Sequence, residues 1–177
     1  LYTHGSYGYI RPTTDDTGLF EAGDQRAGMV YTTVKGGVEA PFHSKYLSQD
    51  GIPGFHSPKI LRLAEMHLIR IEANLQLGNT ADALAEINAL RGARGASALS
   101  AVTMDDLFDE RLRELAFEGH AKFDYFRMGR DIVRQQYNTG AELTGPCTIE
   151  ASSPFGIYPI PFAEMNVNQN MVQNPGY

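Results

Sequence analysis

Residues 59–95, KILRLAEMHLIRIEANLQLGNTADALAEINALRGARG, decide the fold. Leu61, Ala64, Leu68, Ile71 and Leu75 recur at steps of three, four, three and four, an apolar stripe along one helical face. Ser57 suits the N-cap of that helix and Pro58 its first position, and Gly78 closes it in the left-handed conformation. Thr80 reads as the cap of a second helix that turns Leu84, Ile87 and Leu90 inward and stops near Gly92 or Gly95. A pair of this size, with a Gly-Asn turn and a Leu-Gly…Ala pattern, predicts a tetratricopeptide-type hairpin. One clear unit is present, so the residues do not predict a solenoid.

Outward from the hairpin, no proline occurs from Lys59 to Gly145. Thr103, with Asp106 three residues on, opens a third helix that runs to Glu118 and breaks at Gly119; a fourth follows over residues 121–136. Residues 1–58 instead hold 9 glycines, 4 prolines and 8 Tyr or Phe, and read as loop with short strands such as Met29–Val34. At the other end Tyr158–Tyr177, YPIPFAEMNVNQNMVQNPGY, is too rich in Pro and Asn for a helix. Its Tyr158–Pro161 segment is expected to run extended, and Asn174–Tyr177 to form a turn with Gly176 at positive φ. Its apolar side chains are expected to pin it over a helical body. The fold class is therefore mainly α: tetratricopeptide-like helical hairpins, long irregular loops and an extended C-terminal tail. Residues 1–177 read as one domain, divided into an aromatic, Gly-rich loop region (1–58), a helical region (59–136) and an irregular tail (137–177).

The net charge of −6 is unevenly spread: residues 135–177 carry 3 acids and no base, whereas 59–134 nearly balance. No basic face is available for phosphates, so nucleic acid is not an expected partner. Cys147 is the lone cysteine, which excludes an intrachain disulfide and a thiolate zinc site. No apolar run approaches the roughly 18 residues of a spanning helix. The chain opens at Leu1 without an initiator Met or a signal stretch, and reads as a piece of a longer polypeptide.

Asp106, Glu110, Glu114 and Glu118 recur every four residues. Like charges at that spacing cost an exposed helix about 0.2–0.5 kcal/mol per pair, so cations must offset them. The expected arrangement is a structural network of Glu110, Arg111, Arg113, Glu114, Glu118 and Arg127 that clamps helices together, with Arg130 also in reach. A cation site is the competing reading, but a straight helix edge does not converge oxygens as hard cations require. Glycoside hydrolysis needs two carboxyls roughly 5–9.5 Å apart across a cleft, and Glu65 and Glu72 are about 10.5 Å apart along one helix. The five histidines are scattered, so neither catalytic nor metal-ligating residues are assigned, and no cofactor is expected. The better candidates for ligand binding are loop aromatics, because a sugar offers a C–H face to a flat ring and hydroxyls to charged or amide groups. Tyr7 and Tyr9 share one side of an extended Gly-rich segment, with Arg11, Asp15 and Asp16 beside them and Phe20 just beyond.

Several blocks resemble the RagB/SusD family of surface glycan-binding lipoproteins. These are Gly23-Asp24-Gln25-Arg26, Lys45-Tyr46, Ile60–Ala73 (ILRLAEMHLIRIEA), Ala83–Arg94, Glu110–Arg127 (ERLRELAFEGHAKFDYFR) and the closing YPIPFAEMNVNQNMVQNPGY. The resemblance spans roughly residues 24–177 and departs at Ile71, where the family commonly carries alanine. It implies the C-terminal part of a protein about three times longer, on the outer face of the outer membrane and lipid-anchored through a part not present here. It further implies a non-catalytic role: capture of an oligosaccharide or polysaccharide and its transfer to a SusC-like TonB-dependent transporter. A helical-hairpin module for a protein or peptide is the alternative, and an α-helical glycoside hydrolase the third reading.

Overall fold

The structure is a computed structural model that describes residues 19–35, 38–45, 48–49, 52–53, 57, 59–134, 137–138, 143–144, 147–168 and 170–177. The chain forms two compact units, Leu1–Ala121 and Lys122–Tyr177. The described elements are mainly helical, as the periodicity requires.

In the first unit a short 3-10 turn, Gln25–Met29, leads into an antiparallel hairpin of β1 (Val30–Lys35) and β2 (Val38–His43), with Val30 opposite His43 and Lys35 opposite Val38. A second ribbon pairs β3 (Ser48–Gln49) with β4 (Ile52–Pro53). Three helices follow: α1 (Leu63–Gln76), α2 (Thr80–Gly92) and α3 (Met104–Glu114). The helical hairpin packs α1 on α2, and α1 also meets α3. Leu68, Ile71, Ile87 and Leu107 are fully buried between them, joined by Ala64, Ala83, Leu90, Phe108 and Leu115. Gly78 (φ +80°) turns the chain between α1 and α2.

The helix ends depart from local propensity. α1 begins at Leu63, not after Ser57, because Arg62 stays extended (φ −132°, ψ 144°) and sends its guanidinium to the end of α3. Leu61, expected inside, is 79% exposed as a result. Thr80 is the first residue of α2, and Asn79 occupies the N-cap without a side-chain capping bond. At Thr103 the capping box is complete: Asp106 N donates to Thr103 Oγ1 at 3.2 Å, and Thr103 N to Asp106 Oδ2 at 2.8 Å. α3 stops at Glu114, four residues early. Phe117 turns into the left-handed region (φ 65°), where its ring stacks on His43 with centroids 4.2 Å apart. Lys45 Nζ donates to the carbonyls of Glu114 (3.0 Å) and Ala116 (2.9 Å), satisfying groups that a helix terminus leaves open.

The second unit holds α4 (Ala121–Arg127), whose Ala121 belongs to the first unit, followed by β5 (Ile132–Arg134), β6 (Tyr137–Asn138), β7 (Leu143–Thr144), β8 (Cys147–Ile149) and α5 (Phe162–Val167). β5 pairs with β8 and β6 with β7, both antiparallel. α4 is half its expected length. Arg130 N donates to Tyr125 O (2.8 Å) and Gly129 takes φ +66°, a left-handed closure that propensity did not announce. The tail also contains a helix that its composition argued against: Pro161 presets φ −54°, Met165 N donates to its carbonyl (3.2 Å), and six residues of α5 follow. Gly176 lies at φ +94° in the closing turn, as expected.

Candidate functional site

α3 carries Glu110 and Glu114, Glu118 follows just beyond its end, and cations from several other segments fill the gaps between the three. Arg26 Nη1 lies between the first two, 2.7 Å from Glu110 Oε1 and 3.0 Å from Glu114 Oε2. Arg62 spans the second gap, 3.2 Å from Glu114 Oε1 and 2.9 Å from each oxygen of Glu118. Lys45 also pairs with Glu118. Arg91 Nη1 reaches Glu110 at 2.8 Å, and Arg94 bonds both oxygens of Glu114 at 2.7 and 3.0 Å. The Glu110–Glu114 and Glu114–Glu118 gaps thus each have a guanidinium bound across them, which offsets the repulsion between these carboxylates.

Segment 19–26 is fastened to the same cluster. Asp24 caps the 3-10 turn through Arg26 N (2.9 Å) and takes Arg26 Nη2 at 2.7 Å. Gln25 N donates to Arg94 O (2.8 Å), and the backbones approach so closely that a Cβ on Gly95 would stand 2.7 Å from Gly23 O. Arg113 Nε donates to Leu19 O at 2.9 Å, and Arg91 Nη2 lies 2.8 Å from Glu21 Oε1. Phe20, half-buried, is therefore held from both sides.

The electrostatics suit a frame. Burial by itself would raise the Glu114 carboxyl; the guanidiniums of Arg94, Arg26 and Arg62 outweigh it and hold the group below the usual carboxylate range. A general acid for glycoside hydrolysis needs the opposite displacement. Burial likewise opposes ionisation of Asp24, and Arg26 overrides it, keeping that carboxyl low. Lys45 is pushed down by burial despite Glu118. His43, 3% exposed, is pushed down to about 4 by burial, with Lys45 adding to the effect. Among the described residues no three His, Cys, Asp or Glu converge as metal ligands.

Of the residues singled out from sequence, Glu110, Arg113, Glu114 and Glu118 come together here, and Arg111 is buried on the same helix. Asp106 serves its capping box. In the second unit, Arg127 Nη2 lies 2.9 Å from Asp124 Oδ1, one turn back. Tyr7, Tyr9, Arg11, Asp15 and Asp16 lie outside the described residues. Arg26, Lys45, Arg62, Arg91 and Arg94 were missed as network members, although all five sit in the family-like blocks. That coincidence was the available signal: the four blocks that hold these cations each supply charge to a single cluster.

The second unit carries another surface. Tyr158 is 59% and Phe123 54% exposed, their rings edge to face with centroids 6.2 Å apart and Lys122 Nζ 3.6 Å from the Tyr158 centroid. Phe155 and Tyr177 form a similar pair at 5.7 Å. Apolar burial does not pin this tail, contrary to expectation. Gln173 bonds both N (2.8 Å) and O (3.0 Å) of Ile160, Asn174 Nδ2 donates to Tyr158 O (2.8 Å), and Tyr177 Oη donates to Ile157 O (2.9 Å).

Comparison with known proteins agrees with this architecture. The SusD family profile matches residues 35–177. The starch-binding protein SusD of Bacteroides thetaiotaomicron is 32% identical over 179 residues, covering 88% of this chain and 31% of that protein. A solved SusD superfamily protein from Bacteroides thetaiotaomicron superposes with a TM-score of 0.77 at 26% identity, covering 92% of this chain and 40% of the other. One from Bacteroides vulgatus gives 0.71 at 28% identity, covering 88% and 36%. The chain thus spans about a third of the curated relative's length.

Proposed function

The chain belongs to the SusD family, and from that premise we propose that it is the C-terminal portion of a non-catalytic glycan-binding protein of the cell surface. In this reading the full protein is lipid-anchored at the outer membrane, captures an oligosaccharide and passes it to a SusC-like TonB-dependent transporter. The α1–α3 unit is the frame. The aromatic segment ahead of it, with Tyr7, Tyr9, Arg11, Asp15 and Phe20, meets the sugar through ring stacking and hydrogen bonds to hydroxyls. The observation that carries this assignment is the fastening of Leu19, Glu21, Asp24 and Arg26 onto the ion-pair cluster. A binding residue such as Phe20 that is already held against a frame costs less entropy to fix when ligand binds.

The test is electrophoresis in native gels that each contain one polysaccharide. Retardation in one or more gels, lost in Tyr7→Ala or Tyr9→Ala, is the expected result. Turnover of the polysaccharide by the purified protein, or retardation unchanged in both variants, overturns the assignment.

A further inference from the structure

The β1–β2 hairpin is rooted on α3 at both of its ends. Ahead of β1, Arg26 bridges Glu110 and Glu114. After β2, Ser44 N donates to Met29 O (2.7 Å), and Lys45 reaches the end of α3. There Lys45 Nζ donates to the carbonyls of Glu114 (3.0 Å) and Ala116 (2.9 Å) and pairs with the Glu118 carboxylate. Arg62 Nη2 donates to the same Glu114 carbonyl at 2.8 Å. In a continuing α-helix that oxygen would accept from Glu118 N, four residues on. A carbonyl has two lone pairs, and here two side-chain cations take both. Glu118 N turns instead to Leu115 O, at 3.1 Å.

Local propensity does not demand this stop. Leu115-Ala116-Phe117-Glu118 holds neither Gly nor Pro, and Leu, Ala and Glu are strong helix formers. The stop also puts Phe117 at φ 65°, a region that a bulky side chain rarely enters without support from its surroundings. The support is His43, the last residue of β2, whose ring stacks on Phe117 with centroids 4.2 Å apart and planes within 10°. Burial opposes the Lys45 charge, so an undocked Lys45 regains hydration that the docked one lacks. Docked and undocked states thus each satisfy groups that the other leaves wanting.

We propose that the His43–Lys45 root of the hairpin is a latch on α3: docked, it stops the helix at Glu114; released, it lets α3 wind one further turn to Glu118. Winding frees Phe117 from positive φ and gives Glu118 N the Glu114 carbonyl, while Arg62 keeps the second lone pair. Four added residues lengthen α3 by about 6 Å at 1.5 Å per residue. Gly119, already at φ +86°, then ends the helix. Hairpin docking and helix length oppose each other, so whatever lifts this root lengthens the helix, and whatever lengthens the helix lifts the root. The latch does not involve the residues proposed to meet the sugar and stands apart from that reading.

The test is solution NMR on the isotope-labelled protein, reading the scalar coupling across the hydrogen bond of Glu118 N. In the parent this coupling is expected to Leu115 C′. In Lys45→Met, which removes the ammonium and keeps the chain length, it is expected to move to Glu114 C′. Amide exchange at Glu118 is expected to slow about tenfold as a helical bond replaces a turn. Adding Phe117→Gly, which tolerates positive φ and has a low helix propensity, is expected to return the coupling to Leu115 C′. Should Lys45→Met fail to fold, Phe117→Ala removes the stack and favours helix, and a partial transfer is expected because Lys45 remains. A folded Lys45→Met or Phe117→Ala protein that keeps only the Leu115 coupling overturns the latch. So does loss of both couplings with faster exchange at Glu118, which would mean that the released turn frays instead of winding.

Discussion

The α3 helix and the closing segment 147–177 invert the usual rule of burial, in opposite senses. Glu110 and Glu114, which residue type alone would leave in water, are 0% and 3% exposed. Phe162, Val167 and Val172, which residue type alone would bury, are 79–84% exposed, and none of the residues of 148–177 whose burial is described is buried. The difference lies in partners. A buried carboxylate is tolerated when guanidiniums and amides saturate its oxygens, and α3 receives them from segments up to 88 residues away. The tail is ordered by bonds spanning 13–20 residues, made by two side-chain amides and one hydroxyl. Order in the first region is long-range and ionic; in the second it is local and neutral.

That contrast can be broken most forcefully at Glu110. Glu110→Ala strands Arg26, Arg91 and Arg113 around a dry site, and urea denaturation is expected to show a loss of about 3–5 kcal/mol. Glu114→Ala removes contacts with Arg26, Arg62 and Arg94, the latter two partly solvated, so a smaller loss of about 2–3 kcal/mol is expected. A Glu114→Ala protein as stable as the parent would reduce the cluster to surface decoration.

Acid sharpens the comparison next. His43 is neutral in the fold, being held near 4, whereas the unfolded chain takes up its proton near 6.5. Stability is therefore complete above about pH 6.5 and falls as the pH drops toward 4, by at most about 1.4 kcal/mol per unit for this one proton. His43→Gln is expected to flatten that stretch of the profile. Glu114 and Asp24, held low, lose their contributions as the pH falls from the ordinary carboxylate range through their lowered folded values, so their loss begins as that of His43 nears its end. The smallest effect belongs to the tail. Gln173→Ala opens the clasp on Ile160 at a cost of about 1 kcal/mol, seen as faster amide exchange at Ile160 with no change in the global transition.

The sequence made the hairpin legible because Leu68, Ile71, Ile87 and Leu90 repeat at the helical period, and period survives whatever the helix packs against. It also showed that the α3 carboxylates needed cations, since four-residue spacing of like charge is unfavourable in any isolated helix. It did not identify most of those cations. Arg111 and Arg113 were nearest in sequence, but Arg26 and Arg62 bridge the gaps, because a guanidinium's partner is chosen by position after folding. The early end of α3 at Phe117, the late start of α1 at Leu63 and the helix at Phe162–Val167 were hidden for the same reason.

What the residues determine unaided is where the chain can be helical and which charges must find counter-charges; both follow from spacing along the backbone. Tertiary structure decided which cation answers which carboxylate, where each helix stops and which apolar side chains stay outside. Those outcomes depend on distances between segments tens of residues apart, and linear order does not encode them.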